Sequence, residues 1–187
     1  IDSFDTLAIT EEDKQKKALY KNEEERREIR SKSTNLEGYL HQLEMKAVLS
    51  RVDNNSFNRT LQLINKTNQF NLTGKRFTDL ELEKKLSLSG SSGFTIQAQD
   101  KFGDYGIVGV SIIKTINNND WQIDVFLLSC RILGRGVEKA FLSSIVSQAK
   151  SMGIQSILGK YIPSKKNQHV KTFFKDNGFE KSGSNWI

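Results

Sequence analysis

The sequence predicts a mixed α/β fold of the α+β kind, in which a largely antiparallel sheet is flanked by helices and preceded by an N-terminal helical extension. Two observations predict it. Helical patterns dominate the first part of the chain, and several strand patterns then follow one another before helix and strand alternate to the end. A chain of 187 residues is long enough to bury one core of the usual domain size.

The N-terminal part is highly charged and carries few apolar residues. A helix start at Thr10 is followed by acidic residues, and the run to Lys32 is typical of a solvated helix. A short amphipathic helix follows, from Leu36 to Leu43. Because the chain starts at Ile1 rather than at methionine, we expect a piece of a longer polypeptide, with residues 1–43 as a helical connector and 44–187 as the main domain.

The first part of the main domain combines a strand with two helices. A capping box, Thr78-x-x-Glu81, opens the second of these helices. Between the helices lies the amide-rich segment 65–73, which is either an ordered binding loop or a surface connection whose side chains satisfy their own backbone. Composition favours the surface connection.

The second part of the main domain is predicted as an antiparallel meander followed by alternating helices and strands. A hairpin turn at residues 117–120 joins two of the strands, and Gly153 and Gly178 end two helices. The predicted elements are the strands 45–52, 94–99, 106–114, 121–128, 154–161 and 179–186 and the helices 54–64, 78–86, 137–152 and 167–177.

Composition limits the classes of partner. The net charge is +6, and the surplus lies after residue 50, where nineteen basic residues meet eleven acidic ones. Because the basic residues are scattered, we do not expect nucleic-acid binding.

The single cysteine, Cys130, excludes an internal disulfide and a cysteine-based zinc site. With only two histidines in the sequence, no metal site is expected. Because the chain has no internal disulfide, a cytoplasmic location is expected. No apolar run is long enough for a membrane span.

The clearest chemical motif follows the strand that ends at Leu128. The chain passes from there through Arg131-x-x-Gly134-x-Gly136 into an amphipathic helix. Glycines let the backbone approach an anion closely, and the first turn of a helix presents unpaired N–H groups and the positive end of its dipole. The motif therefore predicts a loop that binds a pyrophosphate.

The order of elements and this motif resemble the second half of the Gcn5-related N-acetyltransferase (GNAT) fold. In that family the loop holds the pyrophosphate of coenzyme A, and the preceding strand splays to admit pantetheine. The resemblance implies that the cofactor is coenzyme A, an acyl-CoA or the phosphopantetheine of a carrier protein. The candidate binding residues are Leu128, Ser129, Cys130, Arg131, Leu133, Gly134, Arg135, Gly136, Val137, Asn167 and Phe174.

Longer segments are similar to the C-terminal region of FkbH-like proteins. They are 66–73 (KTNQFNLT), 102–104 (FGD), 106–109 (GIVG) and 124–131 (DVFLLSCR). Such proteins carry a haloacid-dehalogenase-type phosphatase domain and load a glyceryl group from bisphosphoglycerate onto an acyl carrier protein, toward methoxymalonyl extender units in polyketide synthesis. The resemblance implies two partners, an acyl carrier protein and a phosphatase domain of the same polypeptide.

Three residues are candidates for catalysis, each with a plainer alternative. Cys130 lies where the resemblance places thioester chemistry, and Arg131 and the helix start favour its thiolate, but free cysteine is more often a small buried residue. Asp124, in an apolar strand, is a general base, a residue that orients a substrate hydroxyl, or a residue on a solvated face. His169 is either a base beside the acyl site or an exposed helical histidine.

Three functions remain from the sequence. The first is transfer of an acyl or glyceryl group from CoA or a carrier-bound arm, which Cys130 favours. The second is a noncatalytic module that docks a carrier protein, which Phe174 favours, because many acetyltransferases have a tyrosine general acid at that place and a phenyl ring cannot donate a proton. The third, acetylation of an amine, would require an acidic cleft that the basic charge does not indicate.

Overall fold

The computed structural model of the chain describes residues 11–117, 119–183 and 185–187. The predicted helix start at Thr10 and the first residue, Ile1, lie outside this part, as do Asn118 and Ser184. The helices are α1 Glu11–Lys32, α2 Leu36–Gln42, α3 Asn54–Lys66, α4 Asp79–Ser87, α5 Val137–Ser151 and α6 Phe173–Asp176. The strands are β1 Lys46–Arg51, β2 Phe70–Asn71, β3 Ser91–Asp100, β4 Gly103–Asn117, β5 Asp120–Leu128, β6 Ser156–Lys160, β7 Lys181–Ser182 and β8 Asn185–Trp186.

The chain divides into two units, and the smaller one contains α1, α2 and the turn at Asp100–Phe102. Within it, α1 is not solvated all round, because Arg26 is buried and pairs with Asp100 through two contacts of 2.8 and 3.0 Å. The guanidinium also lies 5.1 Å from the centre of the Phe102 ring. The prediction of a solvated helix therefore fails at Arg26, whose charge is paired inside the protein.

No helix among the described residues is long and apolar enough to cross a bilayer.

The larger unit, Lys46–Gln99 with Gly103–Ile187, holds the sheet. Its strand order is β1-β3-β4-β5-β6-β8-β7, with β2 paired to β5 beside this path. The β5–β6 pair is parallel, whereas β1–β3, β2–β5, β4–β5, β6–β8 and β7–β8 are antiparallel. The predicted fold class, a mixed and largely antiparallel sheet flanked by helices, is confirmed.

Capping boxes fix the starts of the two helices on one face of the sheet. The Thr78–Glu81 box predicted from the sequence opens α4, and Asp53 with Ser56 forms a second box at α3. Both helices pack on the central strands through one apolar cluster. Its buried members are Leu63, Ile64, Leu82, Val110, Ile112, Val125 and Leu127.

The opposite face of the sheet is covered by an aromatic cluster with α5 and α6. Phe126 of β5 lies 5.0 Å from Phe141 of α5 and 5.2 Å from Phe173 of α6, between ring centres. Phe70 of β2 lies 5.1 Å from the same Phe173 ring, edge to face. The aromatic contacts therefore connect β2 to both the sheet and α6.

Three predicted elements near the chain end and in the amide-rich segment were wrong. The helix expected over residues 167–177 is a 3-10 turn, Gln168–Val170, followed by the single turn of α6. The strand expected over 179–186 is the short pair β7–β8, which turns at Gly183 with φ of 58°. Segment 65–73 is not a surface connection, because it contains β2 and buries Asn71 and Leu72.

Gly159 of β6 has no side chain and so leaves room for the ring of Phe174. A Cβ atom at this position would lie 2.5 to 2.7 Å from three carbons of the Phe174 ring. We expect Gly159→Ala to lower the free energy of unfolding by about 2 kcal/mol, since overpacking a filled core forces side chains or backbone to shift. Denaturant unfolding measures this, and Phe174→Leu in the Gly159→Ala background should recover most of the loss. Wild-type stability of Gly159→Ala would contradict this packing.

Candidate active site

The centre of the site is the point where β5 and β6 separate. Their parallel pairing runs from Asp120–Ser156 to Ile123–Gly159 and then stops. At the same point β5 contains a bulge, because Ile112 of β4 pairs with Val125 and Ile113 pairs with Ile123, which leaves Asp124 unpaired. A bulge bends its strand and re-aims the extra side chain, so it accounts both for the separation and for the direction of Asp124.

The gap beyond this point is filled by the chain itself. Phe70 pairs with Leu128 and Asn71 with Leu127, and the Leu72 N–H donates to the Phe126 carbonyl at 3.0 Å. We call residues 70–72 the gap segment. The GNAT resemblance implied that this edge of β5 would be open to pantetheine, whereas in this structure its backbone is already paired.

Asn167 holds the gap segment in place. Its side-chain amide donates to the Asn71 carbonyl at 2.8 Å and to the Ile162 carbonyl at 3.0 Å, and its oxygen accepts from the Ser164 N–H at 2.8 Å. The residue is fully buried. Its predicted role as a direct ligand contact is therefore corrected, because its polar atoms are already bonded within the protein, and it acts as an anchor.

The predicted anion loop is formed by residues 131–137. Gly134 and Gly136 have φ of 74° and 69°, a region that favours glycine, and Gly136 caps α5 without any side-chain hydrogen bond. The Gly134 N–H donates to the Glu138 carboxylate at 2.6 Å. Leu133 is half-buried and Val137 is buried against the core. A carboxylate thus already uses one N–H of the loop.

The two arginines of the motif lie beside Tyr105. Arg131 is exposed and donates to the Tyr105 carbonyl at 3.4 Å and, at the same distance, to the Ser129 hydroxyl. Arg135 hydrogen-bonds the Tyr105 hydroxyl and lies 5.1 Å over its ring. Arg135 is therefore held on the protein surface by an aromatic partner rather than solvated on all sides.

A cavity of about 720 Å³ opens at the end of β5 beside the loop. Cys130, the first residue of a 3-10 turn, is exposed and lines it. The alternative of a small buried cysteine is therefore wrong. The other lining residues are Arg59, Leu63, Lys66, Thr67, Asn68, Gln69, Phe70, Leu128, Ser129, Arg131 and Lys166. We call this cavity the thiol pocket.

The thiol pocket is strongly positive. Arg59, Lys66, Arg131 and Lys166 line it, and no aspartate or glutamate is among its lining residues in the described part of the chain. The pKa of the Arg59 guanidinium is lowered, first by burial and second by the positive charge of Arg131. Positive side chains that face one another without an acidic neighbour favour an anionic ligand.

Sequence reasoning missed three of these four cations. Arg59 and Lys66 lie on α3 and Lys166 lies after β6, far from the Arg131 motif in sequence. The only signal was the amide-rich segment, whose residues 67–70 form one wall of the pocket. The sequence left an ordered binding loop open as one interpretation of this segment, although its composition favoured a surface connection.

Asp124 does not lie on a solvated face, as one prediction had it, because it is buried among lysines. Its carboxylate lies 2.7 Å from Lys85 Nζ and 3.3 Å from Lys75 Nζ, and it accepts from the Gln122 amide at 2.6 Å. Burial acts to raise the pKa of Asp124, but the hydrogen bond from Lys85 and the charge of Lys75 outweigh it and lower the pKa to about 2. So weak a base is poorly suited to general-base catalysis near neutral pH, which argues against that predicted role.

Asp124 should instead contribute to stability. Its pKa in the folded protein, about 2, lies below the 3.8 of an unperturbed aspartate, so its contribution is complete above that value and is lost as the pH falls toward 2. We expect Asp124→Asn to lose about 2 kcal/mol of unfolding free energy at pH 7 and to show a flatter decline in acid. Denaturant unfolding at several pH values checks this, with exposed Asp176→Asn as the control. An unchanged acid profile would contradict it.

The remaining predicted residues lie apart from the thiol pocket's lining. His169 is exposed in the 3-10 turn Gln168–Val170. Phe174 is buried, and its ring lies 5.1 Å from that of Phe179. Its place among the ligand contacts is therefore corrected to one in the core.

Solved structures share this architecture over most of the chain. An acetyltransferase of the GNAT family from Staphylococcus aureus aligns over 73% of this chain and 86% of its own, with 15% identity and a TM-score of 0.55. The chain has the GNAT fold. The ribosomal-protein-S18-alanine N-acetyltransferase of Escherichia coli aligns over 73% and 79%, with 8% identity and a TM-score of 0.57. A Mycobacterium tuberculosis protein in complex with CoA aligns over 72% of both chains, with 14% identity and a TM-score of 0.54.

No protein-family model matches the sequence, and no curated protein matches it. The structural likeness at these identities establishes the GNAT fold, and the chemistry has to be argued from the site. In this GNAT-fold domain the site combines a glycine loop, the thiol pocket and a strand gap that the protein's own backbone fills.

Proposed function

We propose that this domain binds CoA or the phosphopantetheine arm of an acyl carrier protein and transfers the acyl group that the arm carries. The observation that carries the proposal is the thiol pocket, where Cys130 and four cations line one cavity of about 720 Å³. Acylated phosphopantetheine carries a phosphate at one end and a thioester at the other. The cations of the pocket match the phosphate, and Cys130 matches the thioester.

The loop and the pocket cations would hold the phosphate end. The N–H groups at the start of α5 have no side-chain cap, and a phosphate oxygen would replace the Glu138 carboxylate at the Gly134 N–H. Because the gap segment occupies the edge of β5, the arm would lie in the thiol pocket rather than between the strands. The thioester then comes to Cys130.

Cys130 would act as the nucleophile. Its thiolate attacks the thioester carbonyl, the bond from that carbon to the arm's sulfur breaks, and the arm leaves as a thiolate that takes up a proton. The acyl group remains on Cys130 Sγ until an acceptor nucleophile displaces it in a second exchange. Because the arm leaves as a thiolate, these two successive acyl transfers require no general acid at the position of Phe174.

The partners follow from the resemblance to FkbH-like proteins. We propose an acyl carrier protein and a haloacid-dehalogenase-type phosphatase domain of the same polypeptide, in the synthesis of methoxymalonyl-type extender units for polyketides. The positive lining of the thiol pocket supports an anionic carrier arm. In this proposal α1 and α2 belong to the connector.

A second candidate is a noncatalytic module that docks the carrier protein. Two observations favour it: Phe174 is buried against Gly159 in the core, and the gap segment closes the path between the strands. Both functions require the arm to bind, and they differ in whether Cys130 becomes acylated.

The proposal is tested by calorimetric titration with CoA and, separately, with a carrier protein loaded with phosphopantetheine. Gly134→Glu places a negative charge in the loop, and we expect it to weaken binding at least tenfold, by about 1.4 kcal/mol. Gly134→Asn is the matched control, because asparagine tolerates positive φ and adds no charge.

Binding by the wild type and the control, together with loss in Gly134→Glu, is the expected result. Carrier binding without CoA binding would support the docking module, provided that Cys130 stays unacylated. If neither ligand binds, the proposal fails.

A further inference from the structure

We infer that Asp124 and the three lysines around it form a second anion site, which takes a phosphate group of a small phosphorylated molecule. Lys85 and Lys75 lie 2.7 and 3.3 Å from Asp124 Oδ2, and Lys160 lies 3.9 Å from Oδ1. This cluster of four side chains, which we call the lysine cluster, goes beyond the function proposed for the thiol pocket.

The lysine cluster carries an excess of positive charge. Three ammonium groups share one carboxylate, so two charges remain uncompensated within it. Because Lys75 and Lys85 contact the same oxygen, their nitrogens lie no more than about 6 Å apart. Like charges held so close repel each other, and a dianionic phosphate matches the excess.

Helices and strands hold three of the four side chains, and Lys75 lies in the loop between β2 and α4. Asp124 is the bulge residue of β5, Lys85 lies in α4 behind its capping box, and Lys160 ends β6. Lys75 follows Thr73, whose hydroxyl donates to the Asp124 carbonyl at 3.1 Å. The fold therefore positions Asp124, Lys85 and Lys160 in advance of any ligand, and the Thr73 contact ties the loop of Lys75 to β5.

The lysines are also accessible. About a third of the Lys75 and Lys160 side chains is exposed, 34% and 36%, whereas Asp124 is 6% exposed. The carboxylate thus lies beneath the ammonium groups and orients them, while their outer sides can reach a ligand.

The lysine cluster and the thiol pocket lie at opposite ends of the gap segment. Phe70 pairs with Leu128 beside the pocket, while Thr73 contacts Asp124. Asp124 and Leu128 are four positions apart along the strand, a span of roughly 13 Å. A phosphate at the lysines would therefore be a separate ligand group from one at the Arg131 loop.

The test is a titration with inorganic phosphate at pH 8, followed by NMR through the side-chain amide of Gln122. This amide donates to Asp124 Oδ1 at 2.6 Å and so reports on the lysine cluster rather than on the thiol pocket. Methyl phosphate forms a second arm, which distinguishes a site for free phosphate from one for a phosphate monoester. No CoA is present, so the outcome does not depend on the function proposed for the pocket.

We expect a saturable shift of the Gln122 amide whose apparent affinity falls at least tenfold in Lys75→Met and in Lys160→Met. Lys84→Met, an exposed lysine of the same helix as Lys85, is the control and should bind like the wild type. Thermal melting verifies that each variant is folded. The absence of a saturable shift with both ligands, or wild-type affinity in the two cluster variants, would overturn the inference.

Discussion

Replacing Cys130 with alanine is expected to reduce acyl transfer by at least about a thousandfold, roughly 4 kcal/mol in activation free energy, while CoA binds as before. The substitution removes the nucleophile but none of the four pocket cations, because the thiol is an exposed group at the wall of the cavity. The measurement is transfer from an acyl-CoA to a carrier protein, with the affinity for CoA determined in parallel.

Cys130→Ser is the matched variant for this prediction. It keeps the size of the side chain and a nucleophilic oxygen, but its hydroxyl is far less acidic than a thiol, so we expect a rate between those of alanine and the wild type. Undiminished turnover by Cys130→Ala would mean that the acceptor attacks the thioester directly. In that case Cys130 would have no covalent role.

Reversing two charges of the thiol pocket should have the second-largest effect. We expect Arg131→Glu with Lys166→Glu to weaken CoA binding at least about a hundredfold, or roughly 3 kcal/mol, because attraction of phosphate becomes repulsion. Both residues line the pocket, and Arg131 is exposed, so the fold should tolerate the change. Calorimetric titration gives the affinity.

The control for this experiment is a pair with the same change in net charge, Lys84→Glu with Lys114→Glu, both exposed. If the two double variants bind CoA equally, the effect comes from overall charge and the pocket is not the site. Salt should weaken binding to the wild type more than to the pocket variant, because surface charges are screened.

Local signals predicted much of the fold. The Thr78–Glu81 capping box opens α4, Gly153 ends the α5 region with φ of 75°, and the hydrophobic periodicity placed β5 and α5. Each of these features depends on residues close in sequence. The mixed and largely antiparallel character of the sheet was also predicted from the order of the elements, whereas the strand order and the parallel β5–β6 pair were seen only in the structure.

The features that shape the site depend on contacts between distant residues, and no local pattern reveals them. The bulge at Asp124 is visible only in the register with β4, and β2 exists only because Phe70 and Asn71 pair with the end of β5. Asn167 was predicted as a ligand contact, but its amide bonds the Asn71 carbonyl, 96 positions away. Its side chain cannot also contact a ligand.

The role expected of Asp124 from the sequence differs from the role that its neighbours in the structure support. In sequence it is an acid inside an apolar strand, which left a general base and a residue on a solvated face as alternatives. In the structure two lysines lower its pKa to about 2, so it remains an anion that orients cations. The role of an acid is therefore set by its neighbours rather than by its place in a strand.

The most direct test of the central claim, that the thioester arm binds in the thiol pocket, is the rate of Cys130 alkylation by iodoacetamide with and without saturating desulfo-CoA. The protein has a single cysteine and desulfo-CoA has no thiol, so intact-mass spectrometry reports on one site. We expect bound ligand to slow alkylation at least tenfold. Alkylation at an unchanged rate, with calorimetry showing the ligand bound, would place the arm elsewhere and contradict the account.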